Sequence, residues 1–260
     1  MFKIFKYSLF DLSRSKMIYF YTAFFLLAGF ALLYLNNDLM TGITNLMNIS
    51  LLICPLISIL FGVMYFYNSR DFIELLLAQP VSRNKILLGK YYGLSITLSL
   101  SYFIGTSIPF VFYGIFISSF IFDFIILLLT TVILTYIFSG IAFIVILVNE
   151  NKIKGIVYAI FIWLLTAFLY DGFFLLALFV FNEYPIESFS IFMTFLNPID
   201  LARILVMLKL DAAAMLGYTG AVFSKFLGTS IGILLASISL LTWTIVPILL
   251  SIKIGRKKDF

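Results

Sequence analysis

The sequence predicts an all-α membrane protein with six transmembrane helices, an N-terminal interfacial helix and short re-entrant helices before the sixth span. Of its 260 residues, 63% are hydrophobic and 11% are charged, and the mean hydropathy is +1.15. A soluble domain is closer to half apolar and a quarter charged, so lipid must surround most of this chain. The apolar residues also fall into six runs, each long enough to cross a bilayer.

The six runs follow one another too closely to leave room for a soluble domain, so residues 1–260 are predicted to form a single transmembrane domain. A helix of 19 residues is about 28 Å long, close to the bilayer's hydrocarbon thickness of about 30 Å. The fifth run is the weakest because Asp171-Gly172 interrupts it. The predicted spans are 17–35, 43–67, 91–116, 124–148, 155–170 and 229–252.

Lysine and arginine are unevenly distributed between the loops. Fourteen of the 17 lie in 1–16, 68–90, 149–154 and the C-terminal tail. The alternate segments 36–42 and 117–123 carry none, and 182–228 carries three. Because basic residues accumulate in cytoplasmic loops, both termini are predicted to be cytoplasmic, with the chain in the inner (cytoplasmic) membrane. An even number of spans independently places both termini on one side.

The first segment, 1–16, has the pattern of an amphipathic helix. One face carries Phe2, Phe5, Leu9 and Leu12, and basic residues are spread over the rest. We therefore expect a helix on the inner membrane surface with its basic side chains near anionic head groups. The alternative is a plain cytoplasmic extension of the first span.

Residues 171–228 are predicted to form an outer segment containing re-entrant or extracytoplasmic helices. An acid between apolar runs is by default a functional candidate. Counted from Gly155, however, Asp171 lies about 24 Å along a helix, near the outer boundary. We therefore favour a helix end at Asp171-Gly172, followed by a re-entrant or interfacial helix at 173–181, which is too short to span.

Further along the outer segment, Asn197 and Pro198 are typical of an N-cap and a first helical residue. They predict a helix over 199–210. Within it, Asp200 and Arg203 have the i,i+3 spacing of an ion pair.

The predicted cytoplasmic segment 68–90 carries more signals of helical structure than an ordinary loop does. Arg70 and Glu74 have the i,i+4 spacing of an ion pair on a helix. A short amphipathic helix is also predicted, because one flank of the segment carries Phe72, Leu75, Leu76 and Gln79.

Pro80 is expected to end this helix, and Ser82 to cap the helix that carries 86–90 into the third span. The segment then forms a lever along the membrane face, joined to two spans. A soluble partner that moved the lever would move both spans. The alternative is an ordinary charged connector.

Residues 74–83 read Glu-Leu-Leu-Leu-Ala-Gln-Pro-Val-Ser-Arg, and Gly89-Lys90 follows. This stretch resembles the segment after the second span in ABC-2-type permeases, the transmembrane subunits of ATP-binding-cassette (ABC) transporters. In that family it forms the coupling helix that docks into the ATPase subunit. The resemblance covers the layout of the whole chain but only 74–90 as a motif. Many relatives have Gly-Thr where this chain has Phe72-Ile73.

Within the family, the chain looks most similar to the permease of the nitrous oxide reductase maturation system. This narrower likeness rests on 79–83 and on Asn197-Pro198. It implies a periplasmic partner protein beside the ATPase and a role in maturation of the reductase copper site.

The resemblance implies a permease that pairs with a second copy and binds two cytoplasmic ABC ATPase subunits. Those subunits, not this chain, would hold ATP and magnesium. The residues expected to couple to the ATPase are Arg70, Asp71, Glu74, Leu75, Leu76, Gln79, Pro80, Val81, Ser82 and Arg83. Glu74 and Arg83 would make charge-assisted contacts there, and Leu75 or Leu76 would fill an apolar pocket. In the outer segment the candidate residues are Asp171, Asp200 and Arg203.

The composition argues against a catalytic centre, a metal site or a cofactor site on this chain. There is no histidine, and Cys54 is the only cysteine, which removes histidine-based zinc sites and Ser-His-Asp triads. Gly89-Lys90 is not a phosphate-binding loop, because Asn84 stands where that motif has glycine and Tyr91 follows the lysine. The net charge of +5 is placed at helix ends, which indicates orientation in lipid and not nucleic-acid binding.

Two other function classes stay open. A self-contained secondary transporter or channel should show midplane charges or broken helices in both halves, and the first four predicted spans carry no charge in their interior. An intramembrane enzyme has less support because no nucleophile-base pair is present. The substrate class is equally open: lipid, drug, copper or sulfur species, or a mechanical signal.

The distribution of basic residues gives a topology prediction. Single cysteines placed at Asn37 and Glu187 should react with a membrane-impermeant thiol reagent added outside intact cells. Cysteines at Ser82 and Lys257 should react only after the cytoplasmic side is opened. Labelling of the Ser82→Cys variant from outside would contradict the six-span arrangement.

Overall fold

A computed structural model of the chain describes residues 2–36, 38–77, 81–180, 187–209 and 228–257. These residues form helices and short turns, without strands. Six helices in this part of the chain are long and apolar enough to cross a membrane. The prediction of an all-α, multi-pass membrane protein with six spans is therefore confirmed.

In chain order, the described helices are α1 (Phe2–Ser13), α2 (Lys16–Asn36), α3 (Leu39–Asn68), α4 (Arg70–Leu77), α5 (Arg83–Phe112), α6 (Ile121–Val148), α7 (Lys152–Leu164), α8 (Tyr170–Val180), α9 (Glu187–Leu196), α10 (Pro198–Lys209) and α11 (Ser230–Lys257). The six spans are α2, α3, α5, α6, the joined pair α7–α8 and α11.

Three spans form the centre of the bundle. About two thirds of the apolar stretch of α3, α5 and α6 is buried (61%, 61% and 67%), against 28% for α2, 11% for α7–α8 and 17% for α11. Small residues let the helices approach closely. A Cβ added at Gly62 of α3 would lie 2.7 Å from the Cβ of Ala142 on α6, and one at Gly140 would lie 3.0 Å from Pro247 of α11.

Polar side chains join the helices where water is absent. The Tyr21 hydroxyl of α2 donates to Cys54 Sγ of α3 (3.1 Å), and the Tyr102 hydroxyl of α5 donates to Ser50 Oγ of α3 (3.0 Å). All four residues are buried, and Phe25 packs edge-on against Tyr102 at 4.9 Å. Each hydroxyl therefore satisfies its donor inside the protein, as hydrocarbon surroundings require.

Two of the inter-helix turns end in side-chain caps. Asp38 accepts from the backbone N–H of Thr41 (3.1 Å) at the start of α3, and Asn151 accepts from Ile153 N–H (2.8 Å) at the start of α7. Hydrogen bonds from the Thr41 hydroxyl and N–H hold the pKa of Asp38 below its ordinary value. The ionised cap is thus the favoured form at the positive end of the helix.

The predicted helix end at Asp171-Gly172 is wrong, and so is a separate re-entrant helix over the described part of 173–181. The fifth span runs without a break from Lys152 to Ala177 and continues in α8 to Val180. A π-helical turn at Leu165–Leu169 takes up extra backbone without breaking the helix. Gly172 lies in open space inside the helix, and Asp171 is held by an ion pair and not by a cap.

Helix α1 docks along the first half of α5. A Cβ added at Gly93 would lie 2.6 Å from Ser8 Cβ, and one at Gly89 would lie 3.0 Å from Ile4. Near the other end of the chain, Gly255 of α11 packs against Leu87 of the same α5 segment. Both ends of the described chain therefore lie at the same end of the bundle, which we call the basic end.

The close approach of α1 and α5 predicts opposite effects for two glycine substitutions. Gly93→Ala forces Ser8 and its helix to shift and should lower the thermal midpoint of the detergent-solubilised protein, by the equivalent of about 1–3 kcal/mol. The control Gly172→Ala meets nothing within 4 Å and should leave the midpoint equal or higher, because alanine favours helix. A Gly93→Ala midpoint equal to wild type would contradict the tight docking of α1.

Candidate functional site

Helix α4 lies outside the spans and has two different faces, as an amphipathic lever requires. Ile73 is 2% exposed, and Phe72 and Leu76 are half-buried against the bundle. Leu75, in contrast, is 68% exposed, and its neighbour Glu74 is also exposed. The short helix predicted in the 68–90 segment is confirmed. Its inward side is formed by Ile73 together with Phe72 and Leu76 of the predicted flank, whereas Leu75 of that flank faces outward.

The predicted ion pair on α4 is present at its exposed surface. Arg70 Nε and Glu74 Oε1 are 3.1 Å apart, and the side chains are 43% and 49% exposed. An exposed i,i+4 pair of this kind stabilises a helix by only about 0.3–0.5 kcal/mol. Both charges can therefore be rearranged at little cost when a partner binds.

The link from α4 to α5 is described from Val81 onward. Val81 packs against the core, and Ser82 occupies the N-cap position of α5, where its carbonyl accepts from Lys85 N–H (2.9 Å). The predicted position of this cap is confirmed, although the Ser82 side chain makes no capping hydrogen bond. Arg83 is half-buried in the first turn of α5. Gln79, Pro80 and the side chain of Asp71 lie outside the described part.

A buried lysine lies directly beneath α4. Lys90 of α5 is 1% exposed, and its Nζ donates to Ser69 Oγ at the α3–α4 junction. The same Nζ is 4.7 Å from the ring centroid of Tyr65 on α3 and 5.5 Å from that of Phe72 on α4. A desolvated cation over an aromatic ring is stabilised by up to about 2 kcal/mol. One ammonium group thus joins α3, α4 and α5.

The N-terminal helix α1 also contacts the inner side of α4. The Tyr7 ring of α1 stacks on the Phe72 ring at 4.8 Å and 20°. Phe72 therefore lies between the tyrosine of α1 and the ammonium group of Lys90. On its inner side, α4 is fixed to α1, α3 and α5 together.

Lys90 is a site residue whose burial sequence reasoning missed, because its charge indicated only orientation and the Gly89-Lys90 pair only a family resemblance. The available signal was its position on a helix face. Ile86, Leu87 and Leu94 are all buried, and Lys90 falls among them at spacings of three and four residues. A lysine within an apolar stripe indicates a buried cation with specific partners.

A second polar cluster lies where α8 meets α10. Arg203 Nη1 is 2.8 Å from Asp171 Oδ2 and 3.1 Å from Asp200 Oδ1, so one guanidinium joins two carboxylates. Asn197 donates through Nδ2 to Asp200 Oδ2 (2.9 Å) and to the carbonyl of Thr166 (2.8 Å). The predicted Asp200–Arg203 pair is confirmed, and Asp171 is added to it.

The same asparagine forms the predicted cap of α10. Asn197 Oδ1 accepts from Ile199 N–H (3.1 Å), and the chain bends by 114° between α9 and α10. Leu205 of α10 shares a 330 Å³ cavity with Ile126 and Leu129, near the start of α6. The cluster therefore lies toward the end of the bundle opposite α4, where it can latch α10 onto the fifth span.

Neither cluster has the ligand set of a metal centre. No group of three or more His, Cys, Asp or Glu that could hold a metal ion occurs in the described part of the chain. Helix α4 has exposed charged groups and an exposed leucine, and both clusters link helices to one another.

Comparison with known proteins adds no identity. No protein-family model matches the chain, and no curated protein matches it in sequence.

The contacts beneath α4 predict that Lys90 holds this helix in position. They also predict that the thermal stability of the whole protein does not depend on Lys90. In an Ile73→Cys background, Lys90→Met should raise the thiol labelling rate of position 73 by about tenfold or more, since one charge-assisted hydrogen bond of about 1.5–3 kcal/mol is lost. The thermal midpoint should stay equal or rise, because methionine removes a buried charge.

Two further variants serve as comparisons. Lys85→Met removes an exposed lysine of the same helix and should change neither quantity. Lys90→Arg should restore part of the protection because it keeps the cation. A labelling rate in Lys90→Met equal to that of the background protein would show that Lys90 does not hold α4.

Proposed function

We propose that this chain is the transmembrane subunit of an ABC-2-type transporter and that a separate cytoplasmic ATPase drives it through α4. The observation that carries the proposal is the two-sided seating of α4. Its inner side is anchored to the spans by Ile73 and Phe72, while Glu74 and Leu75 face outward. An exposed leucine beside an exposed, weakly paired carboxylate is suited to a groove that has an apolar pocket and a basic rim.

The path from α4 into α3 is short. Only Ser69 separates α4 from α3, and Val81 and Ser82 lead directly into α5. Lys90 links all three helices. Because α3 and α5 belong to the buried centre of the bundle, a partner that displaces α4 moves the central helices and not a peripheral one.

A second copy of the chain fits the distribution of burial. The outer spans α7–α8 and α11 are only 11% and 17% buried within one chain, so large apolar faces are left for lipid or for a second copy. A translocation route or mechanical relay would form where two copies meet. With two ATPase subunits, such a dimer would couple ATP hydrolysis to export or to a periplasmic partner.

The same proposal assigns a position to the helices outside the six spans. Helix α1 lies at the cytoplasmic membrane surface, and α9 and α10 form a bent re-entrant pair on the outer side. The cluster of Asp171, Asp200 and Arg203 ties that pair to the fifth span. It is suited to transmit movement to a periplasmic protein, as maturation of the nitrous oxide reductase copper site would need.

One observation favours the runner-up, a self-contained secondary transporter. A buried charge beside a bent helix pair, as at Asp200, occurs at the binding sites of such proteins. The first half of the chain offers no counterpart within its described residues, since its buried cation, Lys90, lies at the end of α5 beneath α4. The ATPase-driven subunit remains the better account.

The test is binding of α4 by an ATPase. Photo-reactive residues at Leu75 should crosslink in cells to a polypeptide with ATP-binding motifs, which should also co-purify at equal stoichiometry. The same label at Ile153 is the matched control, since it is 73% exposed at the same end of the bundle. Glu74→Lys should weaken association at least tenfold, and Glu74→Gln should weaken it less.

The proposal fails if Glu74→Lys binds the ATPase with wild-type affinity, because α4 would then be a connector. It also fails if the purified chain, free of other polypeptides, hydrolyses ATP. Membrane insertion should be unchanged in both Glu74 variants because this side chain is exposed outside the spans.

A further inference from the structure

An apolar groove runs between α2 and α3 on the outside of the bundle. It encloses about 610 Å³. Its lining is apolar apart from Tyr21, whose hydroxyl is occupied by Cys54. The side chains that form its walls include Met17, Phe20, Phe24, Ile53, Ile57 and Leu60.

A second, polar cavity adjoins the groove at the basic end. It encloses about 370 Å³ and is lined by Asp11, Arg14 and Asn68 among others. Met17 and Met64 line both spaces. The two cavities are thus adjacent, with charged groups lining the one at the basic end, which we call the mouth, and hydrocarbon lining the other.

The length of the apolar part matches one leaflet of a bilayer. Its α3 wall extends from Ile53 to Met64, a rise of about 16 Å along a helix. Half of the hydrocarbon core is about 15 Å thick. The groove begins where the spans leave the basic end, so it is aligned with the leaflet on that side.

The mouth carries one charge of each sign, and both are accessible to a ligand. Asp11 and Arg14 are exposed, and no ion pair or hydrogen bond of either side chain is found within the described chain. At a spacing of three residues a mutual pair would be ordinary on a helix surface. The Arg14 guanidinium is therefore available to a phosphate. The exposed Asp11 carboxylate, which also acts electrostatically on the buried Lys90, is available to an ammonium group.

We propose that this site binds one phospholipid of the adjacent leaflet, with a head group that carries both a phosphate and a primary amine. One acyl chain lies in the groove between α2 and α3. The phosphate lies at Arg14, and the amine lies at Asp11. A free anion would use only the mouth, and a second protein copy would have no use for paired charges at the end of an acyl-sized groove. The site needs no ATPase, so it stands apart from the function proposed above.

The experiment measures retained lipid on the purified full-length chain by native mass spectrometry. The delipidated protein is exposed in detergent to phosphatidylethanolamine, to phosphatidylglycerol, or to diacylglycerol. We expect one tightly retained phosphatidylethanolamine per chain, weaker retention of phosphatidylglycerol, and the weakest retention of diacylglycerol. Inorganic phosphate and soluble glycerophosphoethanolamine should not compete at concentrations that leave the protein folded.

Variants separate the two parts of the site. Arg14→Gln should reduce retention of both phospholipids at least tenfold, and Asp11→Asn should reduce phosphatidylethanolamine to the level of phosphatidylglycerol. Ile57→Trp, which fills the groove, should reduce all three lipids. The matched controls are Lys3→Gln on α1 and Leu27→Trp on the exposed side of α2, neither of which lines the site; both should behave as wild type.

The proposal is overturned if Arg14→Gln retains phospholipid like Lys3→Gln, or if Leu27→Trp loses as much lipid as Ile57→Trp, since that lipid would be non-specific. It is also overturned if inorganic phosphate displaces the phospholipid, which would indicate a free-anion site. Arg14 and Asp11 are exposed, so their variants should fold even where Ile57→Trp does not.

Discussion

The contacts between the helices depend most on one constraint: a polar group surrounded by hydrocarbon has no water to bond, so a partner within the protein lowers the free-energy cost of burying it. The hydroxyls of Tyr21 and Tyr102 meet this constraint by bonding to Cys54 and Ser50 on α3. The same bonds fix α2 and α5 against α3. Close glycine contacts, as at Gly62, then bring α3 and α6 together by van der Waals packing, which is a main driving force between helices in lipid.

The constraint is most severe for charges, and two clusters in the described chain hold charges that are fully or partly buried. At the basic end, Lys90 is held by a hydroxyl and two aromatic rings, which keeps α4 seated on the spans. Toward the opposite end, Arg203 is held by Asp171 and Asp200. Breaking either cluster would leave a charge without partners, so each is expected to change between discrete arrangements and not to yield gradually. Such elements are suited to a protein that passes on movement.

The exposed apolar surface is unevenly distributed between the spans. The central spans α3, α5 and α6 are buried by the chain itself, whereas α2, α7–α8 and α11 present most of their apolar surface outward. Lipid or a second copy of the chain must cover those faces, and the groove beside α2 is shaped for a lipid with a defined head group. The outward side of α4 carries an acid and a leucine and lies outside the spans, where a soluble partner could reach it.

The sequence by itself determined the features that depend on neighbours within one helical turn or on composition. The six spans follow from apolar length, while the Arg70–Glu74 pair, the Asn197 cap and the Asp200–Arg203 pair follow from spacings of two to four residues. Only the tertiary structure decided the contacts between distant segments. Asp171 meets an arginine 32 residues away, and Lys90 meets a serine 21 residues away. The helix continues through Asp171-Gly172, where local chemistry alone favoured a turn, and Asp171 there has an ion-pair partner that no local pattern encodes.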